Sequence, residues 1–183
     1  MIAARPAIPR DADAWLQLRH ALWPDGSQAE HRDDISRFFA GTFPREPWMV
    51  LLADSAAEGA VGFAELSIRP YAEGCGTSRV GYLEGWFVLP HVRGRGVGRA
   101  LVVAAEEWAR SQGCSEFASD VAPDNDASAA AHRALGFAEV SLVRSSERTC
   151  SRGVLPTQWI QRRASGPADR QVVGRLATTS EQD

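Results

Sequence analysis

The stretch that most constrains this chain is "VRGRGVGRALVVAAEEWAR", residues 92–110, where Gly94, Gly96 and Gly98 alternate just ahead of an unbroken helical pattern. Arg93, Arg95 and Arg99 sit among them. Alternating glycines let backbone N–H groups approach a ligand with no Cβ in the way. The helix start adds about half a positive charge. Together they suit a phosphate or pyrophosphate, with the arginines as charge-assisted donors around it. Two common phosphate motifs do not fit. A dinucleotide fingerprint needs glycine where Arg99 stands, and a P-loop needs a lysine, yet all 20 basic residues here are arginine. What remains is Arg93-x-x-Gly96-x-Gly98, directly after the strand-like "YLEGWFVLP".

The surrounding pattern is a mixed one. "RDADAWLQLRHALW" reads as a helix with Asp11 as N-cap and Trp15, Leu18 and Leu22 on one apolar face. "AEHRDDISRFFAG" is a second, more polar helix. "PWMVLLAD" and "GAVGFAELSIRP" read as strands joined by a hairpin turn, and "RVGYLEGWFVLP" as a third strand. Strict alternation along that strand would put Tyr82, Glu84 and Trp86 on one face. A helix from Val97 to Gln112 follows, with Val97, Leu101, Ala104 and Trp108 as its core stripe and Gly113 to end it. "CSEFASDV", "DNDASAAAHRALGF" and "AEVSLV" complete a strand, a helix and a last strand. Hairpins first and alternation later give an α/β (α+β) fold, a mixed, mostly antiparallel sheet flanked by helices. Residues 1–144 form one domain in this reading. Residues 145–183, rich in Ser, Thr, Arg and Gly, form a mostly irregular C-terminal extension.

Composition excludes several classes. A net charge of -3 argues against a nucleic-acid partner. "MIAARPAIPRDAD" has no apolar core for a secretion signal, and an apolar run such as "ALVVAA" is far too short to span a membrane. Cys75, Cys114 and Cys150 form no close pair, so neither a disulfide framework nor a zinc site is expected. They read as thiols in a reducing cytoplasm, and no metal is expected.

The Arg93–Arg99 spacing resembles the acetyl-coenzyme A pyrophosphate loop of the GCN5-related N-acetyltransferase superfamily. "LRHALWP", "AELSIRPYAEG", "YLEGWFVLP", "GCSEFASD" and "AHRALGF", in that order within residues 1–144, resemble its aminoglycoside 6'-N-acetyltransferase branch. The resemblance implies a bulged strand that splays from its neighbour and admits acetyl-CoA as cosubstrate. It implies that Phe87 and Val88 meet the pantetheine and thioester through their main chain. Arg93, Gly94, Arg95, Gly96, Val97, Gly98 and Arg99 then cradle the pyrophosphate. Asn125 lies beside the pantetheine end, and His132 stands where many members carry a tyrosine that protonates the leaving thiolate.

The implied acceptor is a polycation, so its site should present carboxylates. Glu84, midway along an apolar strand, is costly to bury without a role. Asp120 ends a strand, where ligand sites often lie. By resemblance both bind amino groups and assist removal of the amine proton, and Trp23 and Tyr71 line the pocket, where rings attract ammonium groups. The implied reaction is acetyl transfer to the 6'-amine of an aminoglycoside, conferring resistance, by a cytoplasmic homodimer. Acetylation of another small amine or polyamine, and a non-catalytic acetyl-CoA-binding module, stand as alternatives. The stretch "LVRSSERTC" departs from the family, whose final strand is rich in aromatic residues.

Overall fold

The computed structural model describes residues 2–42, 49–142 and 170–175. Its strands are β1 (Ala3–Pro6), β2 (Met49–Ser55), β3 (Gly59–Arg69), β4 (Val80–Val88), β5 (Glu116–Val121), β6 (Ala138–Leu142) and β7 (Arg170–Arg175). The helices are α1 (Ala12–Leu22), α2 (Gln28–Phe39), α3 (Val97–Ser111) and α4 (Asp126–Ala134). Among the described residues the strands form one sheet in the order β1-β2-β3-β4-β5-β7-β6. Every pairing is antiparallel except β4 with β5. The mixed, mostly antiparallel sheet expected from the sequence is the one observed.

Alternation along the inner strands divides the core. Leu51, Ala53, Ala64, Leu66 and Leu83 pack under α3, against Val97, Leu101, Val102, Ala105 and Ala109. Val50, Leu52 and Phe63 point the other way, onto Trp15, Leu16 and Leu18 of α1 and Ile35 of α2. The α3 stripe is therefore rotated from the expected one: Ala104 and Trp108 pack only at the edge of the core. Small residues at 105 and 109 let this helix lie close over the sheet.

Some local features differ from the sequence reading or add to it. Asp11 holds the position before α1 but makes no side-chain cap; its carboxylate instead accepts from Arg5 and from the Ile8 N–H. α2 is started by Ser27 and Glu30, each side chain bonding the other's backbone N–H. β1 was not expected, being four residues with little periodicity. Residues 170–175, within the extension expected to be mostly irregular, form β7 and enter the sheet between β5 and β6. The rest of 145–183, including Cys150, lies outside the described residues.

A buried ion contact ties the α1 layer to the sheet. Glu65 on β3 is 2% exposed. Its Oε1 accepts a hydrogen bond from Trp15 Nε1 at 2.9 Å and lies 2.9 Å from Arg19 Nε. Arg19 also reaches Asp34 of α2 at 2.8 Å. Burial pushes the Glu65 carboxyl upward, against the pull of Arg19 and Trp15. A buried charge that loses its partner costs several kcal/mol. Arg19→Ala should therefore lower unfolding stability by about 3 kcal/mol or more in urea titration; a change below about 1 kcal/mol would show the pair to be water-accessible.

Candidate active site

The site begins with a fault in the β3/β4 register. Glu65 pairs with Gly85 and Leu66 with Leu83, so Glu84 is an extra residue, a bulge. Bulging restarts the alternation. Tyr82 stays on the α1 side with Ala72, Val80 and Ala118, whereas Trp86 packs on the α3 side. Strict alternation, which would place Trp86 beside Tyr82 and Glu84, fails for this reason.

The same point opens the sheet. β4 and β5 pair only from Val80 with Glu116 to Leu83 with Ser119. β4 then runs on to Val88 and β5 to Val121 without pairing each other. The residues directly past the last pair are Glu84 and Asp120, which thus flank the apex of the fork. Phe87 and Val88 lie on its β4 arm, where one backbone edge has β3 as partner and the other faces the opening.

At the wide end lies the glycine turn. Gly94 and Gly96 hold φ of 74° and 85°, and a Cβ at either would meet nothing within 4 Å. Left-handed backbone with open space outside it is a cradle for a ligand. Gly98 has a different reason: a Cβ there would stand 2.6 Å from Trp86 Cζ2. Val97 is buried, fixing the helix start against the core. Arg95 and Arg99 are exposed. Arg93 donates from Nε to the Val88 carbonyl at 2.9 Å and lies 5.7 Å from the Phe87 ring centre, bracing the turn on β4. The α3 N-terminus, the two open left-handed glycines and the arginines together fit the pyrophosphate of acetyl-CoA.

Around the fork apex the expected acceptor residues fall into two groups. Glu84 accepts from Ser67 Oγ at 2.5 Å and from Arg69 Nε and Nη2 at 2.9 and 2.5 Å. Asp120 accepts from the Tyr82 hydroxyl at 2.9 Å. Arg69 lies flat over the Tyr82 ring, 3.4 Å from its centre, and so joins the two carboxylates into one cluster. Trp23, half-buried at the end of α1, sits over Gly85, edge-on to Phe63 and 5.4 Å from the Arg19 guanidinium. Tyr71 stands apart on the loop after β3, 63% exposed, its hydroxyl donating to Glu73.

Asn125 and His132 carry structural duties. Asn125 caps α4, its Oδ1 accepting from the Ser128 N–H at 3.0 Å. His132 is 2% exposed, edge-on to Trp86 and Phe137. Its Nδ1 donates to the Ser128 carbonyl at 2.8 Å, and Nε2 lies 3.3 Å from Ser119 Oγ, which itself donates to the Leu83 carbonyl at 3.1 Å. Burial holds its pKa below the ordinary 6.5.

Sequence reasoning missed Arg69 and Ser67. A signal existed: Glu65, Ser67 and Arg69 recur every second residue in an otherwise apolar strand, a polar row on one face. Among the described residues no group of three or more His, Cys, Asp or Glu side chains is arranged to hold a metal.

Comparison with known proteins follows the same lines. Residues 13–137 match the acetyltransferase (GNAT) family. An aminoglycoside N(6')-acetyltransferase type 1 of Klebsiella aerogenes is 53% identical over 140 residues, 76% of this chain and 91% of that protein. One of Stenotrophomonas maltophilia is 44% identical over 148 residues, 78% of this chain and 93% of that protein. The solved structure of AAC(6')-Iy in complex with the bisubstrate analogue CoA-S-monomethyl-acetylneamine superposes with a TM-score of 0.75, at 36% identity, covering 82% of this chain and 99% of that one.

Two expectations follow. Gly96→Asp should weaken acetyl-CoA binding roughly tenfold or more in calorimetry, by strain at positive φ and by negative charge beside pyrophosphate; unchanged affinity would place the pyrophosphate elsewhere. His132 takes up a proton more readily unfolded than folded, so its contribution to stability is present above 6.5 and falls as pH drops below that value. Melting curves between pH 8 and about pH 5 should show this loss, and His132→Phe should flatten it; an identical slope in the variant would remove His132 from the balance.

Proposed function

The chain belongs to the acetyltransferase (GNAT) family, and from that premise we propose that it moves the acetyl group of acetyl-CoA to the 6'-amine of aminoglycosides, so conferring resistance. The observation that carries the reading is the fork. Where β4 leaves β5, a carboxylate stands on each arm, with a glycine-lined helix start at the wide end.

Bound acetyl-CoA supplies a thioester whose carbonyl carbon an amine can attack. The chain's own residues do the rest. Gly94, Gly96 and the first turn of α3 present backbone N–H groups to the pyrophosphate, and Arg93, Arg95 and Arg99 add charge around it. The β5-facing edge of β4 from Glu84 to Val88 offers main-chain groups along the fork, with Phe87 and Val88 nearest the thioester end in this reading. Asn125 and His132 belong to the cofactor side. There His132 acts through packing on Trp86, since a buried ring whose Nδ1 proton is bonded to the Ser128 carbonyl is a poor proton donor. Glu84 and Asp120 receive ammonium groups of the acceptor, with Trp23 and Tyr71 as apolar and cation-attracting walls. Holding amine and thioester in line supplies much of the acceleration, on the order of 7–11 kcal/mol at best.

Three donors, Ser67 Oγ and two Arg69 nitrogens, already engage the Glu84 carboxylate. Glu84 is therefore assigned to orientation and charge, and the proton passes to Asp120 or to solvent beside it. The homodimer and the cytoplasmic location rest on the resemblance and complete the proposal. No helix among the described residues is long and apolar enough to cross a membrane.

Purified protein should release thiol from acetyl-CoA with kanamycin or tobramycin, and not with an aminoglycoside bearing a 6'-hydroxyl. Glu84→Gln should lower kcat/KM roughly a hundredfold while acetyl-CoA affinity stays within about twofold. Turnover with a polyamine in place of every aminoglycoside would redirect the reading to the alternative acceptor.

A further inference from the structure

The acceptor site already holds a cation. Arg69 bonds both oxygens of Glu84 and lies flat on Tyr82, whose hydroxyl is bonded to Asp120. Its side chain is 18% exposed and that of Glu84 17%, so the pair is largely shielded from water. Burial opposes charge on Arg69, but Glu84, Tyr82 and Asp120 hold it charged. The carboxylate of Glu65, also on β3, is close enough to Glu84 to couple with it and carries its own guanidinium, Arg19. Beyond Asp120, burial holds the His132 imidazole below its ordinary pKa.

This arrangement sets a conflict and answers it. Two carboxylates facing an ammonium would bind it tightly and keep it protonated. An amine must lose its proton before it can attack. Uniformly tight binding of the protonated form would lower KM and slow the chemical step. A guanidinium bonded to Glu84 and felt by Asp120 offsets part of their negative charge. The acceptor is still attracted, but its ammonium is held less firmly in the charged state.

We infer that Arg69 is a positioning residue that offsets the charge of Glu84 and Asp120, so that an acceptor ammonium bound between them releases its proton readily. The inference rests on the acceptor reading above. In the step it serves, the ammonium proton leaves for solvent or Asp120. The nitrogen lone pair then forms the C–N bond as the thioester C–S bond breaks; the nitrogen gives its second proton to solvent, and the sulfur departs with the bond's electron pair and takes up a proton from solvent, leaving a neutral amide and the free thiol.

The test is the pH profile of kcat and the KM for kanamycin in wild type, Arg69→Gln and Arg69→Lys. Loss of the charge in Arg69→Gln should lower KM several-fold, lower kcat, and move the acid limb of kcat up by about one pH unit or more. Arg69→Lys, which keeps the charge and loses the fork, should leave the limb near its wild-type position. A merely structural role predicts the reverse for Arg69→Gln: KM up, kcat/KM down and the limb unmoved, which would overturn the inference. Should Arg69→Gln not fold, the wild type itself decides. NMR titration of ¹⁵N-labelled kanamycin should show the bound 6'-amine titrating at or below its free value, and a clear rise would overturn the inference. Wild-type turnover with an unmoved limb in Arg69→Gln rejects Arg69 alone; absence of wild-type turnover with any aminoglycoside rejects the acceptor reading and this inference with it.

Discussion

Glu84 is one residue too many for the ladder it sits in, and the working parts of the molecule follow from that surplus. A bulge twists and bends the strand that carries it. Here the bend coincides with the last β4/β5 pair, Leu83 with Ser119. Past it the two strands separate, one edge of β4 faces open space, and the strand aims at the turn that starts α3. The bulge also reverses which side each later residue faces. It sends Trp86 under α3, where Gly98 makes room for it, and puts Glu84 and Gly85 on the α1 side beneath Trp23. The helix start and the Glu84–Arg69–Asp120 cluster are thus related through a single backbone irregularity.

Charge is handled with the same economy on both sides of the bulge. Glu65 and Glu84 are neighbours across β3 and β4, each shielded and each given its own arginine. The two pairs differ in what else they touch. Arg19 is tied to Trp15's layer and to Asp34, so its pair locks α1 and α2 onto the sheet. Arg69 is tied to Tyr82 and through it to Asp120, so its pair faces the fork. Buried ion pairs are often neutral in net stability. Their use here is orientation: one fixes the wall that carries Trp23, the other the two carboxylates.

Much of this was legible in the sequence because it depends on residue chemistry at short range. The alternating glycines before α3 announce their backbone geometry directly. β2 to β6 and α1 to α4 show in hydrophobic period and turn residues. What stayed hidden depends on partners. β1 and β7 are short and acquire their structure from neighbours, β2 for one and β5 and β6 for the other. The bulge leaves no mark in "YLEGWF", where strict alternation is equally plausible, so the face of Trp86 was misassigned. Asp11 looks like a cap until Arg5 claims its carboxylate. Arg69 sat in plain view in the period-two row Glu65, Ser67, Arg69, but its importance comes from Tyr82 and Glu84 on the next strand.

In the proposed function the opening between β4 and β5 brings acyl donor and amine together at Glu84 and Asp120. A crystal structure with coenzyme A and an aminoglycoside bound together tests it most directly. The pantetheine arm is expected between the strands beyond Leu83 and Ser119, its pyrophosphate on Gly94 and Gly96, and the 6'-amine near the sulfur with the sugar's ammonium groups on the two carboxylates. A coenzyme lying outside the fork, or an aminoglycoside bound away from Glu84 and Asp120, would contradict it.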